Sequence, residues 1–376
     1  MKLLIVTTVS ATLEAFLLPY AAYFRGRGHR VDALAARAAS SDVCVQAFDH
    51  VWDAAWSRWP FSVRGLRDVR RIRRLLRAEA YDIVHVHTPV AAFLTRIAAA
   101  PLRRTGLRVV YTAHGFHFLK GQSWWKNAAY LALEKVAGRW TDRLITINDE
   151  DYLAAREHRV VPGDRLVRMH GIGVDTDVYD RTRVGASAVA SIREELSLRD
   201  GDVLFLMVAE FNANKQQGLV VDALAAADAR AVVGFAGDGA LRERIEAYAE
   251  AAGVGERSRF LGQRSDIAAL LAASAASVIF SAREGLPRSS MESLSMAVPV
   301  IGADIRGVSE LLRDGCGVLV APGDAGALAR AMCWVIEHPD DATTMGERGR
   351  EKMTGDYHIR RVLEAHSRLY DELMES

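Results

Sequence analysis

The chain has 376 residues, 50% hydrophobic and 25% charged, which is room for two domains with their own cores and an ordinary globular composition. Lysines and arginines number 48 against 47 aspartates and glutamates, and a net charge of +1 excludes a nucleic-acid partner held by bulk electrostatics. Three scattered cysteines, Cys44, Cys316 and Cys333, support neither a disulfide framework nor a zinc centre and point to a reducing cytoplasm.

Lys2-Leu-Leu-Ile-Val6 is apolar but too short for a signal segment, and it turns polar at Thr7 and Thr8, so it predicts a first buried strand. No run approaches the roughly 20 apolar residues that cross a bilayer. Short apolar runs then alternate with amphipathic stretches, predicting strands near 2–8, 30–34, 83–86, 108–112 and 143–147, and helices over 13–26, 64–79, 90–101, 124–139 and 149–158. Residues 160–200 are mixed in character and read as a linker. Further apolar runs at 203–209, 230–236, 259–261, 275–281, 298–301 and 317–320 predict the strands of a second lobe. Arg360 to Met374 closes the chain as a helix with Val362, Leu363, Leu369, Tyr370 and Leu373 on its apolar side. The pattern predicts an α/β chain of two doubly wound lobes, 1–185 and 186–358, with a C-terminal helix, 359–376, returning to the first lobe. In such sheets ligands bind beyond the carboxyl ends of the strands, so the turns at Thr7-Thr8, His87-Thr88-Pro89, His114-Gly115 and Asn148 should line a cleft.

The most informative segment runs from Ser281 to Glu292. Ala275 to Phe280 reads as a buried strand and Met291 to Met296 as a helix, and between them Glu284-Gly-Leu-Pro forms a tight turn. A strand end, a turn and a helix start place backbone N–H groups and a helix dipole where an anion can sit. Glu284 and Glu292 suit hydroxyl groups instead. A site for both an anion and hydroxyls fits a sugar nucleotide. Glu292 has a second reading, because Ser289-Ser-Met-Glu292 matches a capping box. Lys215, after the first strand of the same lobe, carries a compact charge suited to a phosphate oxygen. Gly237-Asp-Gly239 lacks the third glycine of a dinucleotide fingerprint and reads equally as a plain strand–helix turn, and the turn from Thr7 to Thr12 has no glycine at all.

In the first lobe His114 stands at a strand end before Gly115, open to a structural or a catalytic role, and His85 and His87 alternate on a neighbouring strand with at least one of them buried. No carboxylate stands at ligand spacing from these histidines, so no metal site is read. The 64–79 helix carries an apolar stripe of Leu66, Val69, Ile72, Leu75 and Leu76 and arginines over the rest, from Arg64 to Arg77. Beside Trp52, Trp56, Trp59, Pro60 and Phe61 it reads either as an anionic-membrane surface or as a solvated helix packed on its lobe.

Taken together and in order, the Glu284–Glu292 pair, Lys215, the Thr112-Ala-His114-Gly turn, Gly171-Ile-Gly-Val-Asp175 and Phe260-Leu-Gly-Gln-Arg264-Ser-Asp-Ile267 resemble the retaining glycosyltransferases of family four. His85-Val-His-Thr-Pro89, Thr112–Phe118, Leu144–Tyr152 and Ala209–Lys215 are similar to the bacterial exopolysaccharide and capsular subgroup. The resemblance implies the GT-B fold, two Rossmann-like lobes facing across a cleft, and transfer of a sugar from a nucleotide diphosphate donor, a UDP-sugar above all, to a lipid-linked or small glycan acceptor. It implies that Lys215 binds the donor diphosphate, that Glu284 bonds the sugar hydroxyls with the Gly285 and Leu286 backbone near the phosphates, and that Glu292 holds the ribose. Arg264 falls near the base pocket, and His114 touches the donor sugar or the reacting centre. Phe116, His117 and Phe118, with Trp124 and Trp125, fall on the acceptor side or in the core. No cofactor or metal is implied, and no Asp-x-Asp motif is read as suited to one. Two departures stand out: Glu210 occupies the place of an arginine that shares the diphosphate in many members, and the usual Gly-Gly turn after the first strand is absent. A UDP-sugar 2-epimerase on the same fold and a transferase for a cytoplasmic small molecule remain as alternatives. The compartment read is the cytoplasm, with peripheral attachment to the inner face of the plasma membrane through the arginine helix.

Overall fold

The computed structural model describes residues 1–56, 63–116 and 123–375, which form two compact units, residues 1–172 with 361–376 and residues 173–360. The first unit is built on seven parallel strands: β1 (Lys2–Val9), β2 (Arg30–Ala36), β3 (His50–Asp53), β4 (Ile83–Val86), β5 (Arg108–Ala113), β6 (Arg143–Thr146) and β7 (Leu166–Arg168). They lie in the order β3-β2-β1-β4-β5-β6-β7. Leu3, Leu4, Ile5 and Val6 are all buried, as a central parallel strand covered on both faces by helices must be. The order reverses between β1 and β4, and that is where a doubly wound sheet opens a crevice for ligands.

The edge strands β3 and β7 escape the sequence reading for a physical reason. β3 exposes His50 and Asp53 and β7 has three residues, so neither shows the apolar run of a buried strand. The closing helix Ile359–Glu375 buries the predicted stripe of Val362, Leu363, Leu369, Tyr370 and Leu373, and adds His366 to it.

The second unit carries six parallel strands, β8 (Val203–Val208), β9 (Ala231–Ala236), β10 (Ser258–Gly262), β11 (Ala276–Ile279), β12 (Val300–Ala303) and β13 (Gly317–Val320), in the order β10-β9-β8-β11-β12-β13. Its reversal falls between β8 and β11. The stretch read as a linker is structured: it holds β7 and a helix at Ala186–Glu195. Residues 173–184 belong to the second unit because they are tied to it. The Val174 N–H donates to the Tyr357 carbonyl at 2.9 Å, Asp180 pairs with Arg350 at 3.0 Å and the Ser295 hydroxyl donates to the Tyr179 carbonyl at 2.7 Å.

The arginine-rich helix Val63–Glu79 sets Val69, Ile72 and Leu76 into the first unit's core and leaves Leu66 exposed. Arg73 donates to the Ala98 and Ile97 carbonyls at the end of a neighbouring helix, while Arg67, Arg70, Arg71, Arg74 and Arg77 are exposed. The aromatics described beside it do not form an exposed surface. Trp52 and Trp56 are half-buried against the core, and the Trp52 indole N–H donates to the Tyr81 hydroxyl at 3.1 Å. Trp59, Pro60, Phe61 and the Arg64 side chain lie outside the described residues. Among the described residues no helix is long and apolar enough to cross a membrane.

Candidate active site

In the second unit two loops leave neighbouring strands on either side of the sheet reversal. The loop after β8 runs 209–216 and the loop after β11 runs 280–287. They are stitched together by the chain itself. The Ala282 N–H donates to the Asn214 carbonyl at 2.7 Å, and the Asn214 amide donates to the Arg283 carbonyl at 2.9 Å. Asn212 shapes the first loop by accepting the N–H groups of Asn214 and Lys215 on its side-chain oxygen, an Asx turn. The result places the Lys215 ammonium 2.5 Å from Glu284 Oε1. Both side chains are mostly shielded, at 21% and 12% exposure, so this is more than a solvated surface pair. Glu284 Oε2 has no partner among the described residues, which leaves one carboxylate oxygen free to accept hydroxyls.

Two glycines permit this packing. A Cβ on Gly237 would lie 2.1 Å from the Ala209 carbonyl oxygen, and one on Gly307 would lie 1.9 Å from that of Gly285, and both residues have positive φ. Gly237-Asp-Gly239 is thus where the 209–211 loop presses onto the sheet. Gly307 seats the Glu284-Gly285-Leu286 turn from the other side.

Glu292 lies in the helix Arg288–Ser295, which starts directly after Pro287 with no side-chain cap. The capping box is therefore not formed: Ser289 lies inside the first turn, and Glu292 is too far along to reach back. Glu292 is buried, accepts from Arg288 Nε at 2.7 Å and from the Tyr179 hydroxyl, and burial raises its pKa above the usual carboxylate range. Arg264, two residues beyond the edge strand β10, is held by Asp266 at 2.8 and 2.6 Å and by Glu195 at 3.0 Å, and these carboxylates raise its pKa. It forms no hydrogen bond or ion pair with Lys215 or Glu284 among the described residues. Glu210 is exposed and folds back on its own loop, accepting from Asn212 Nδ2 at 3.0 Å. In Asp175-Thr-Asp177, Asp175 caps its own turn through the N–H groups of Asp177 and Val178, and Asp177 pairs with Arg183 at 3.3 Å.

In the first unit the strand ends around the β1/β4 reversal carry a histidine cluster. His85 and His87 are both buried, one more than the alternation required. His85 Nδ1 lies 2.5 Å from the Tyr370 hydroxyl and Nε2 lies 2.7 Å from the Thr112 hydroxyl. His114 is half-buried, with Nε2 3.2 Å from His87 Nδ1. Burial lowers the pKa of His114 and of His366 to about 4, and pushes those of His85 and His87 well down, because packing strips most of the water from a charged imidazole. Of the two readings open for Phe116, the structure favours the core: its ring is 2% exposed and its N–H donates to Asp151. His117 and Phe118 lie outside the described residues. Trp124 and Trp125, opening the helix Trp124–Gly138, are 81% and 57% exposed.

Four elements of the site have no signature in a motif. Asn214 locks the loops, Arg288 and Tyr179 hold Glu292, and Arg306 approaches the Glu284 carbonyl at 3.5 Å. Only Arg288, four residues before Glu292 on one helix face, left a legible trace.

Comparison with known proteins places this geometry. Residues 13–178 match the family model described as Glycosyltransferase Family 4, and residues 189–352 match that described as Glycosyl transferases group 1. The putative glycosyltransferase EpsD of Bacillus subtilis (strain 168) is 35% identical over 354 residues, 93% of this chain and 91% of that protein. The UDP-Gal:alpha-D-GlcNAc-diphosphoundecaprenol alpha-1,3-galactosyltransferase of Escherichia coli is 27% identical over 83% of this chain and 81% of its own. Among solved structures, Anabaena Alr3699/HepE, determined in complex with UDP and glucose, superposes with a TM-score of 0.83 over 99% of this chain and 100% of its own at 21% identity, a likeness of fold. Two Rossmann-like parallel sheets, a lysine–glutamate pair at the second sheet's reversal and these matches converge: the chain belongs to the family-four glycosyltransferases, with the GT-B fold.

Proposed function

We propose that this glycosyltransferase moves a hexose or N-acetylhexosamine from a UDP-sugar to a lipid-linked or small glycan acceptor in exopolysaccharide biosynthesis, with retention at the anomeric carbon and with no metal or separate cofactor. The observation that carries the reading is the Lys215–Glu284 pair at 2.5 Å, with Glu284 Oε2 unpartnered among the described residues, at the β8/β11 reversal. The lysine supplies a positive charge for the diphosphate and the free oxygen accepts sugar hydroxyls. Glu292, fixed by Arg288 and Tyr179, takes the ribose. Gly285 and Leu286 offer backbone to the phosphates. Arg264 serves the base pocket only through the face its two carboxylates leave uncovered. The bond from the anomeric carbon to the diphosphate oxygen breaks, the acceptor oxygen bonds on the same face, and the acceptor proton passes to the leaving phosphate. Lys215 and backbone N–H groups stabilise the charge of the leaving group, an effect typically worth a few kcal/mol. His114 meets a sugar oxygen at the first unit's β1/β4 reversal. The names of two similar proteins support the substrate class, one naming UDP-Gal and a diphosphoundecaprenol acceptor and the other UDP and glucose.

The acceptor reading carries a location with it. The exposed arginines from Arg67 to Arg77 meet anionic headgroups at the inner face of the plasma membrane, and Trp124 and Trp125 receive the lipid-linked acceptor. The test is a transfer assay over a panel of UDP-, GDP-, ADP- and TDP-sugars with a polyprenyl-diphosphate sugar as acceptor. Acceptor-dependent, anomer-retaining transfer from a UDP-sugar is expected. A new UDP-sugar formed with no acceptor present would instead establish the 2-epimerase, and transfer only to a water-soluble acceptor, without binding to anionic vesicles, would establish the small-molecule enzyme.

A further inference from the structure

Two imidazoles at neighbouring strand ends of the first unit share one hydrogen bond, and its direction can be deduced. His87 follows β4 and His114 follows β5; their ring centroids lie 5.4 Å apart with planes inclined by 30°, and His87 Nδ1 is 3.2 Å from His114 Nε2. His87 is only 2% exposed, and its backbone N–H is donated to the Val6 carbonyl at 3.0 Å, which pins it at the β1/β4 reversal.

Burial keeps both rings neutral near pH 7, so each carries one proton, and a shared bond needs one protonated and one bare nitrogen. Two arrangements satisfy this. In the first, His87 Nδ1–H donates to a bare His114 Nε2, and the His114 proton sits on Nδ1. In the second, His114 Nε2–H donates to a bare His87 Nδ1, and the His87 proton must sit on Nε2. That atom decides between them, because His87 Nε2 is fully buried and has no hydrogen-bond partner among the described residues. His85, whose ring centroid is 4.1 Å from that of His87, cannot serve, since both its nitrogens are committed to Tyr370 and Thr112. A buried N–H with no acceptor costs more than a buried bare lone pair. The first arrangement therefore holds.

We propose that His87 is a positioning residue that fixes His114 in its Nδ1–H tautomer, so that His114 meets its ligand as a hydrogen-bond donor and not as a base. His114 Nδ1 has no partner among the described residues and is not one of the buried unsatisfied atoms, so the N–H is available. A donor there suits a sugar oxygen. This assignment of a ligand rests on the reading that His114 meets the sugar nucleotide; the tautomer does not. The hydrogen bond on one ring nitrogen sets which atom the other presents.

The experiment is long-range proton–nitrogen correlation NMR on the full chain labelled with nitrogen-15 histidine at pH 7.5, with His114 assigned by its loss in His114→Gln. The expected spectrum shows His114 Nδ1 protonated and Nε2 bare. His87→Leu should release His114 to a mixture of tautomers and lower kcat about tenfold with KM little changed. His87→Asn, whose amide N–H takes the place of Nδ1–H, should restore both. A protonated His114 Nε2 in the wild-type protein, or a His114 pattern unmoved by His87→Leu, overturns the proposal. Full turnover in His114→Ala would sink the ligand reading instead, and would leave the tautomer standing.

Discussion

The buried histidines of the first unit should make it lose stability in mild acid, well above the range where most carboxylates titrate. His114 and His366 each have a pKa of about 4 in the folded chain against about 6.5 when unfolded. For a base with a depressed folded pKa, the unfolded chain binds the extra proton. The stability is fully present above the unfolded value and is lost as pH falls through 6.5 toward 4. Between pH 7.5 and 5.5 the linkage integral is about 1.3 kcal/mol for each group, or about 2.6 kcal/mol together, and His85 and His87 add to it with the same sign. Glu292 acts in the opposite sense, since its raised carboxyl favours the folded state as pH falls, but it belongs to the second unit. The assay is urea unfolding followed by tryptophan fluorescence. Six of the seven tryptophans, all but Trp334, lie between residues 52 and 140, so the signal reports the first unit. His366→Asn should remove its own share, about 1.3 kcal/mol of a loss spread over four imidazoles. An unfolding free energy that is flat over this range, or that rises on acidification, would refute the argument that these imidazoles are buried and neutral.

Lys215→Ala should reduce turnover about 100-fold or more and weaken UDP binding if its ammonium faces the diphosphate as proposed; steady-state kinetics at saturating acceptor checks it. Gly307→Ala should displace the Glu284 turn, since its Cβ would meet the Gly285 carbonyl, and so lower both donor affinity and melting temperature; unchanged donor affinity would mean the turn is not seated there. Tyr370→Phe deletes the partner of His85 and should cost about 1 kcal/mol in denaturant titration. Reversing Arg70, Arg71 and Arg74 to glutamate should abolish sedimentation with anionic vesicles while leaving transfer to a water-soluble acceptor intact, and undiminished sedimentation would remove the helix from the membrane account.

Much of the fold was legible because parallel strands buried on both faces announce themselves as apolar runs. Val203–Val208 and Ala276–Ile279 are such runs, and the loops after them carry Lys215 and Glu284. The edge strands β3 and β7 carry no such signal. Long-range partners are also silent in a local reading. Tyr370 stands 285 positions from the His85 it meets, and Tyr179 reaches Glu292 from a segment read as linker. Local grammar misled at Ser289, where a capping-box spacing met a helix already begun at Arg288. It left Phe116 open between the acceptor side and the core, and the ring faces the core. Glu210 was legible as a departure but not in its consequence: it turns onto Asn212, and Arg306 from another loop reaches the Glu284 carbonyl at 3.5 Å.

The central claim is that the lysine–glutamate pair at the β8/β11 reversal is the grip on a sugar nucleotide. Calorimetric titration of UDP and of UDP-sugars into the wild-type chain, Lys215→Ala and Glu284→Gln tests it most directly. The account predicts that Lys215→Ala weakens UDP and UDP-sugar alike by tenfold or more, roughly the worth of one charge-assisted phosphate contact. It predicts that Glu284→Gln weakens the UDP-sugar and leaves UDP nearly untouched. Wild-type affinity for both ligands in both variants would contradict it.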